Sequence, residues 1–192
     1  IKRYTADKDN VITNAFKANL DTRGVSGNMG ASDALEVFSI YGQASTSSLE
    51  RCRILVQFPV ADLSADIAAN TIPTGGVSYY LRLFNAEHAQ TLPTDFKLLV
   101  YPISSSADWT EGHGLDMESY RDTGVSNWES SSLTAGWSTE GGDYYATPIY
   151  TVSFDKGYED MEVDITTIAA QWLSGSKPNR GLIIMMSGSH ED

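Results

Sequence analysis

The chain has 192 residues, with 25 Asp and Glu against 13 Lys and Arg and a formal charge of −12. That length suits one large all-β domain able to bury its own core, and no apolar run approaches the roughly 20 residues of a membrane span. The cations are dispersed, Lys2-Arg3 being the only adjacent pair, which argues against a nucleic-acid partner because phosphate binding needs a concentrated basic surface.

In chain order, alternating segments bounded by Gly, Ser, Asn and Pro predict an antiparallel β-sandwich. Strands are expected over Asn10–Ala15, Ala34–Tyr41 and Arg51–Phe58. Within the third, Cys52, Ile54 and Val56 share one face, so the single cysteine reads as a small buried apolar group. With only one Cys, neither an intrachain disulfide nor a Cys-based zinc site can form. Val60, Leu63 and Ile67 then recur at helical spacing and predict a short helix. Gly76–Asn85 follows as a strand, with Tyr79, Leu81 and Leu83 on one face and Tyr80, Arg82 and Phe84 on the other. Phe96–Pro102 is the next strand.

Ser104 to Gly142 reads as a long irregular stretch holding three of the four Trp residues, a length that usually means function or tight packing. Strands return at Tyr145–Phe154 and Met161–Asp164. The only substantial helix is expected at Asp164–Leu173, capped by Asp164, with Ile165, Ile168, Ala169 and Trp172 as its buried stripe. The last predicted strand, Gly181–Ser187, is followed by Ser189-His190-Glu191-Asp192. No repeat or linker divides residues 1–192, so one domain is expected.

Three motifs carry a resemblance. They are Trp109-Thr110-Glu111-Gly112, Gly124-Val125-Ser126-Asn127-Trp128, and Asp164-Ile165-Thr166 with Gln171-Trp172-Leu173-Ser174-Gly175 and Pro178-Asn179-Arg180-Gly181-Leu182-Ile183. In this order, with Asn28-Met29-Gly30 and Arg53-Ile54-Leu55-Val56-Gln57-Phe58 upstream, the chain resembles the DNRLRE (disaggregatase-related) β-sandwich modules. Pro59 stands where those modules usually have Asp. The resemblance implies a non-catalytic jelly-roll domain, of a kind found beside carbohydrate-active enzymes and in surface and virion proteins. It also implies one more strand after Gly181–Ser187, so a partner strand is expected from beyond Asp192 or from a neighbouring subunit. The opening Ile1-Lys2-Arg3-Tyr4-Thr5-Ala6-Asp7 and Glu36-Val37-Phe38-Ser39-Ile40-Tyr41-Gly42 are similar to virion structural proteins of marine tailed phages, cyanophages included. That likeness implies a component of head, neck, tail or fibre, assembled in the host cytoplasm, whose partners are other virion proteins and copies of itself. Lys2-Arg3 runs into polar residues rather than an apolar signal region, which agrees.

Catalytic constellations are thin. His88, His113 and His190 stand apart, without paired-His spacing, and no G-x-S-x-G elbow occurs. Asp108 and Glu111 flank Trp109 in the manner of a glycosidase pair, but in so acidic a chain two nearby carboxylates arise by chance, and no enzyme is expected. Trp137, Tyr144 and Tyr145 fall outside the family motifs and are the candidates for an exposed contact or sugar-stacking surface. Trp109 and Trp128 are expected to pin the long loop to the sandwich. Asp7, Asp9 and Asn10, with Asp33, offer hard oxygen ligands suited to calcium, although the spacing is not that of an EF-hand and no cofactor is otherwise implied. The leading expectation is thus a virion structural protein. The alternative is an extracellular carbohydrate-binding or adhesion module with a polysaccharide partner.

Overall fold

The structure is a computed structural model that describes residues 1–87, 91–117 and 124–188. His88, His190 and the Ser189–Asp192 end of the sequence lie outside the described residues.

Among the described residues ten strands and two helices follow one another as β1 (Lys8–Thr13), β2 (Phe38–Tyr41), β3 (Leu49–Gln57), α1 (Val60–Ala68), β4 (Tyr80–Leu83), β5 (Phe96–Pro102), β6 (Ser130–Ser132), β7 (Ala135–Gly136), β8 (Tyr150–Phe154), β9 (Met161–Asp164), α2 (Thr166–Leu173) and β10 (Leu182–Met186). All pairings are antiparallel. The main sheet runs β1-β3-β10-β5-β8, and β2 joins the first half of β3 beside β10. A β4–β9 ribbon and a small β6–β7 hairpin complete the strands. The fold is an all-β antiparallel sandwich, and its strands interleave out of sequence order as jelly-roll connections do.

The main sheet is apolar on both faces because both are covered. Val11, Cys52, Ile54, Val56, Leu98, Val100, Leu182 and Ile184 pack with Leu81 of β4, Met161 of β9 and the α2 side chains Ile168 and Trp172. On the opposite face Ile12, Leu55, Ile183 and Met185 pack with Ile103, Trp109, Trp128 and Trp137. Alternate residues of one strand therefore feed two separate clusters, the period-2 arrangement that a doubly covered strand requires.

This corrects the expectation for the last strand. β10 is not an unpaired inner edge. It pairs with β3 over Leu182–Ile184 and with β5 along its whole length, and all five of its residues are buried. Leu182-Ile183-Ile184-Met185-Met186 is apolar throughout because it lies at the centre of the sheet, not because a partner strand is lacking. Gly181 admits the chain there: its φ is +84°, and a Cβ would stand 2.3 Å from the Val56 carbonyl oxygen.

Further expectations shift. The strand at Ala34–Tyr41 shortens to Phe38–Tyr41, and that at Tyr145–Phe154 to Tyr150–Phe154; Pro148 has no N–H for a ladder. The helix at Val60–Ala68 is one residue longer than α2, so α2 is not the only substantial helix. The α2 stripe of Ile165, Ile168, Ala169 and Trp172 is buried as its spacing predicts. Asp164 sits one residue ahead of the N-cap position, yet its Oδ1 accepts the Thr166 N–H at 2.8 Å. The stretch expected to be irregular contains the β6–β7 hairpin, too short and too rich in Ser and Gly to register as alternation.

Candidate functional site

The two carboxylates that imitate a glycosidase pair close the outer edge of β1. The Glu111 Oε1 accepts the Asp9 N–H at 2.8 Å. Asp108 accepts from the Lys8 ammonium at 2.9 Å and stands 3.9 Å from Arg180. Between them Trp109 is almost fully buried and donates its indole N–H to the Arg180 carbonyl at 2.8 Å. The loop is fixed from beneath by a buried amide network. The Asn28 Nδ2 donates to the carbonyls of Glu111 and Ser126, while its Oδ1 accepts from Gly30 and Gly114. Gly112, at φ +89°, is needed because a Cβ would meet the Asn28 side chain at 2.6 Å. The N-x-G and W-x-E-G motifs are therefore two halves of one packing contact.

Asn10 belongs to the same network and is withdrawn as a cation ligand. Its Oδ1 accepts the N–H groups of Val11 and Met29, its Nδ2 donates to the carbonyl and hydroxyl of Ser126, and it is wholly buried. Asp7 is exposed. Burial, and then the neighbouring Glu111 charge, push the Asp9 carboxyl above the ordinary carboxylate range. Among the described residues no three His, Cys, Asp or Glu side chains gather as a metal would need.

The three loop tryptophans are all interior. Trp137, expected at an exposed surface, is 8% exposed and donates its indole N–H to the Asn127 carbonyl at 2.8 Å. It follows the β6–β7 hairpin, whose Ser131 carbonyl accepts the Thr110 N–H, so hairpin and W-x-E-G loop fold down together. Only the tyrosines of the predicted surface remain at the surface. Tyr144 is 39% exposed, its ring tilted against Tyr101 with centroids 4.6 Å apart. Tyr145 is half-buried under the Lys177 ammonium, 4.2 Å from the ring centroid.

Tyr144 lines an open polar cleft of about 420 Å³ with Arg51, Arg53, Ser104, Ser138, Thr139 and Asp143. Its walls are preset. The Arg53 guanidinium lies 5.1 Å from the Trp128 ring and donates to the Gly141 carbonyl at 2.8 Å. The Asp143 carboxylate accepts the N–H groups of Ser138 and Thr139 at 2.8 and 2.9 Å. An aromatic ring beside fixed guanidinium, carboxylate and hydroxyl groups can hold a polar ligand with one apolar face. The sequence reading missed Arg51, Arg53 and Asp143. The usable signal was that Arg51 and Arg53 alternate with Cys52 and so share the Leu55 face of β3.

A second surface lies on the other side of the sandwich. β4 buries Leu81 and turns Tyr80 and Arg82 outward, as its alternation predicts, and Phe84, just past its end, is exposed as well. Opposite them on β9 stand Asp164 and Glu162, the latter 2.8 Å from the Arg82 Nε. The Arg82 guanidinium also lies 5.4 Å from the Phe84 ring centre. Tyr158, in the β8–β9 connection, is 60% exposed. No family model matches this chain, and neither a curated protein nor a solved structure matches it.

Proposed function

We propose that the chain is a non-catalytic structural module that works by contact with neighbouring proteins, as a repeated component of a tailed-phage particle. The observation that carries the contact reading is the outer face of the β4–β9 ribbon, where Tyr80, Arg82 and Phe84 stand exposed in one row. Aromatic residues and Arg are the side chains enriched in protein interfaces, and large exposed apolar groups side by side mark interaction surfaces more than singly scattered ones do. The virion setting rests on the resemblance of the opening segment. Quantitative mass spectrometry of gradient-purified particles tests it: a fixed copy number per particle is expected, and absence from the particles defeats it.

A second reading has its own observation. The Tyr144 cleft joins an exposed ring to fixed polar groups, the composition of a saccharide site. Glycan-array binding that is lost on Tyr144→Ala would favour a carbohydrate-binding module. Trp137 drops out of that test because it is buried. Among the described residues no helix is long and apolar enough to cross a membrane.

A further inference from the structure

The backbone shapes the Tyr144 cleft before any side chain lines it. Tyr144 pairs with Ile103 in an isolated antiparallel bridge, and the Ser104 N–H donates to the Asp143 carbonyl at 3.0 Å. At the other end of the loop the Gly141 N–H donates to the Trp128 carbonyl at 2.7 Å. Gly141 has φ +87°, and a Cβ there would stand 2.7 Å from the Trp128 ring and 2.8 Å from the Arg53 Nη1. Only glycine lets the loop lie so close to that buried pair. A wall held at both ends is ordered before a ligand arrives, so binding has less freedom to freeze.

The groups on that wall describe their ligand. Tyr101 lies against the Tyr144 ring, tilted by 34° with centroids 4.6 Å apart, while Tyr144 itself is 39% exposed. One ring face is therefore covered and the other is offered. The Asp143 carboxylate accepts the Thr139 N–H on Oδ1 and the Ser138 N–H on Oδ2. Each carboxylate oxygen has two lone-pair sites, so these bonds fix its orientation and leave acceptor capacity on both oxygens. Two adjacent hydroxyl groups are the matching pair of donors. Ser138 and Thr139 are exposed along the same cleft, and their hydroxyls can donate or accept. A flat apolar face rimmed by hydroxyls is a pyranose ring. The volume of about 420 Å³ is near the lower end of the roughly 300–1,000 Å³ of small-molecule sites, which suits one ring better than a chain of them.

Charge narrows the class. Arg51 and Arg53 line the cleft together with Glu140 and Asp143, so its formal charges balance, and the chain around it carries −12. A ligand carboxylate would approach Asp143 against that field. A ligand cation would meet two guanidinium groups. A neutral ligand incurs neither penalty.

We propose that the cleft binds a single neutral pyranose unit, its apolar face on the Tyr144 ring and two adjacent hydroxyls on the Asp143 carboxylate. The proposal rests on the saccharide reading above and narrows it to uncharged sugars recognised one ring at a time.

The probes are the methyl glycosides of glucose, galactose and mannose, titrated into the full isotope-labelled chain and followed by backbone amide resonances. At least one should give saturable shifts centred on the amides of Ser138, Thr139 and Tyr144. Tyr144→Ala should weaken binding about tenfold or more, whereas Tyr144→Phe should keep it within about twofold, because the ring face makes the contact. The uronide of the bound sugar, with a carboxylate on the same ring, should bind about tenfold more weakly. Mannitol, which has the hydroxyls without the ring, should give no saturable shift. A uronide that binds as tightly as its neutral parent, mannitol that binds as well as the glycoside, or shifts centred on another part of the fold would each overturn the proposal. An array of longer glycans separates it from the reading beneath it. Array binding lost on Tyr144→Ala, with no methyl glycoside bound, keeps the saccharide reading and overturns the single-ring site. Silence of both the array and the glycosides overturns the two together.

Discussion

β1 and β4 each have a strand neighbour on one side only, and they finish the other side in opposite ways. On β1 the outward N–H groups of Asp9 and Val11 are taken by the side chains of Glu111 and Asn10, and the Trp109 loop lies alongside. On β4 the outward row at Tyr80 and Arg82, continued by Phe84 just past the strand, meets no strand among the described residues, and the adjoining side chains are aromatic and cationic rather than capping. An open edge is a template for pairing, and folded proteins usually blunt it. β1 is blunted by acceptors drawn from distant loops. β4 is merely short. The lesson is that acidic side chains near a strand need not be chemistry: Glu111 stands where an extra strand's carbonyl would.

Breaking the covered edge should cost the most. Trp109→Ala removes an indole that is 1% exposed and should lower unfolding free energy by about 3–5 kcal/mol, read from urea denaturation. The Asp9 amide should then exchange its hydrogen faster than in the parent chain. A loss below about 1 kcal/mol would mean that the loop collapses onto β1 without its anchor. Asn28→Ala should cost somewhat less, about 2–3 kcal/mol, since it strands the N–H groups of Gly30 and Gly114 in a buried site. Asn28→Asp keeps the Oδ1 acceptor but sets a buried carboxylate oxygen against the carbonyls of Glu111 and Ser126, so it should cost at least as much as Asn28→Ala. Equal stability of all three proteins would show that the network is not what holds the loop.

The open edge should behave differently. Phe84→Ser, at a side chain 72% exposed, should change stability by no more than about 0.5 kcal/mol while it weakens the association of the chain with its assembly. A large destabilisation measured by the same urea titration would place Phe84 in the core economy and remove it as a contact residue.

How much of this was legible in the sequence follows from what each segment packs against. β5 and β9 have the predicted bounds because their alternation is local. The outward row of β4 was legible for the same reason. The status of β10 was not, because an apolar run reads alike as a central strand and as an edge awaiting a partner; only the pairing with β3 and β5 decides. Trp137 and Asn10 were misjudged through one cause. The loop that buries them folds back across more than a hundred residues from Asn10 to Ser126, and no local pattern encodes such a contact. Arg53 was overlooked because a cation on a strand reads as a solvent face, whereas here it is 6% exposed and held by Trp128 and Gly141.

The smallest effect sharpens the comparison through pH. Asp9 and Asp66 have carboxyls shifted in opposite directions. Hydrogen bonds from Lys2 and then Tyr4 hold Asp66 below its ordinary value, so its contribution is present above that value and is lost as pH falls through the folded one. Burial and Glu111 raise Asp9 above its ordinary 3.8. A raised acid binds more protons in the folded than in the unfolded chain between the two values, so stability falls as pH rises through that window. At neutral pH Asp9 therefore costs stability in full. Asp9→Asn removes that cost and leaves the backbone N–H on Glu111 intact, since the bond uses the main chain. The variant should be modestly more stable than the parent at pH 7, and the advantage should shrink as pH falls and vanish below the ordinary carboxyl range. Chemical denaturation at several pH values reads it directly. An advantage that persists undiminished at low pH would trace it to packing rather than charge. No advantage at pH 7 would mean that Asp9 and Glu111 do not oppose one another at the β1 edge.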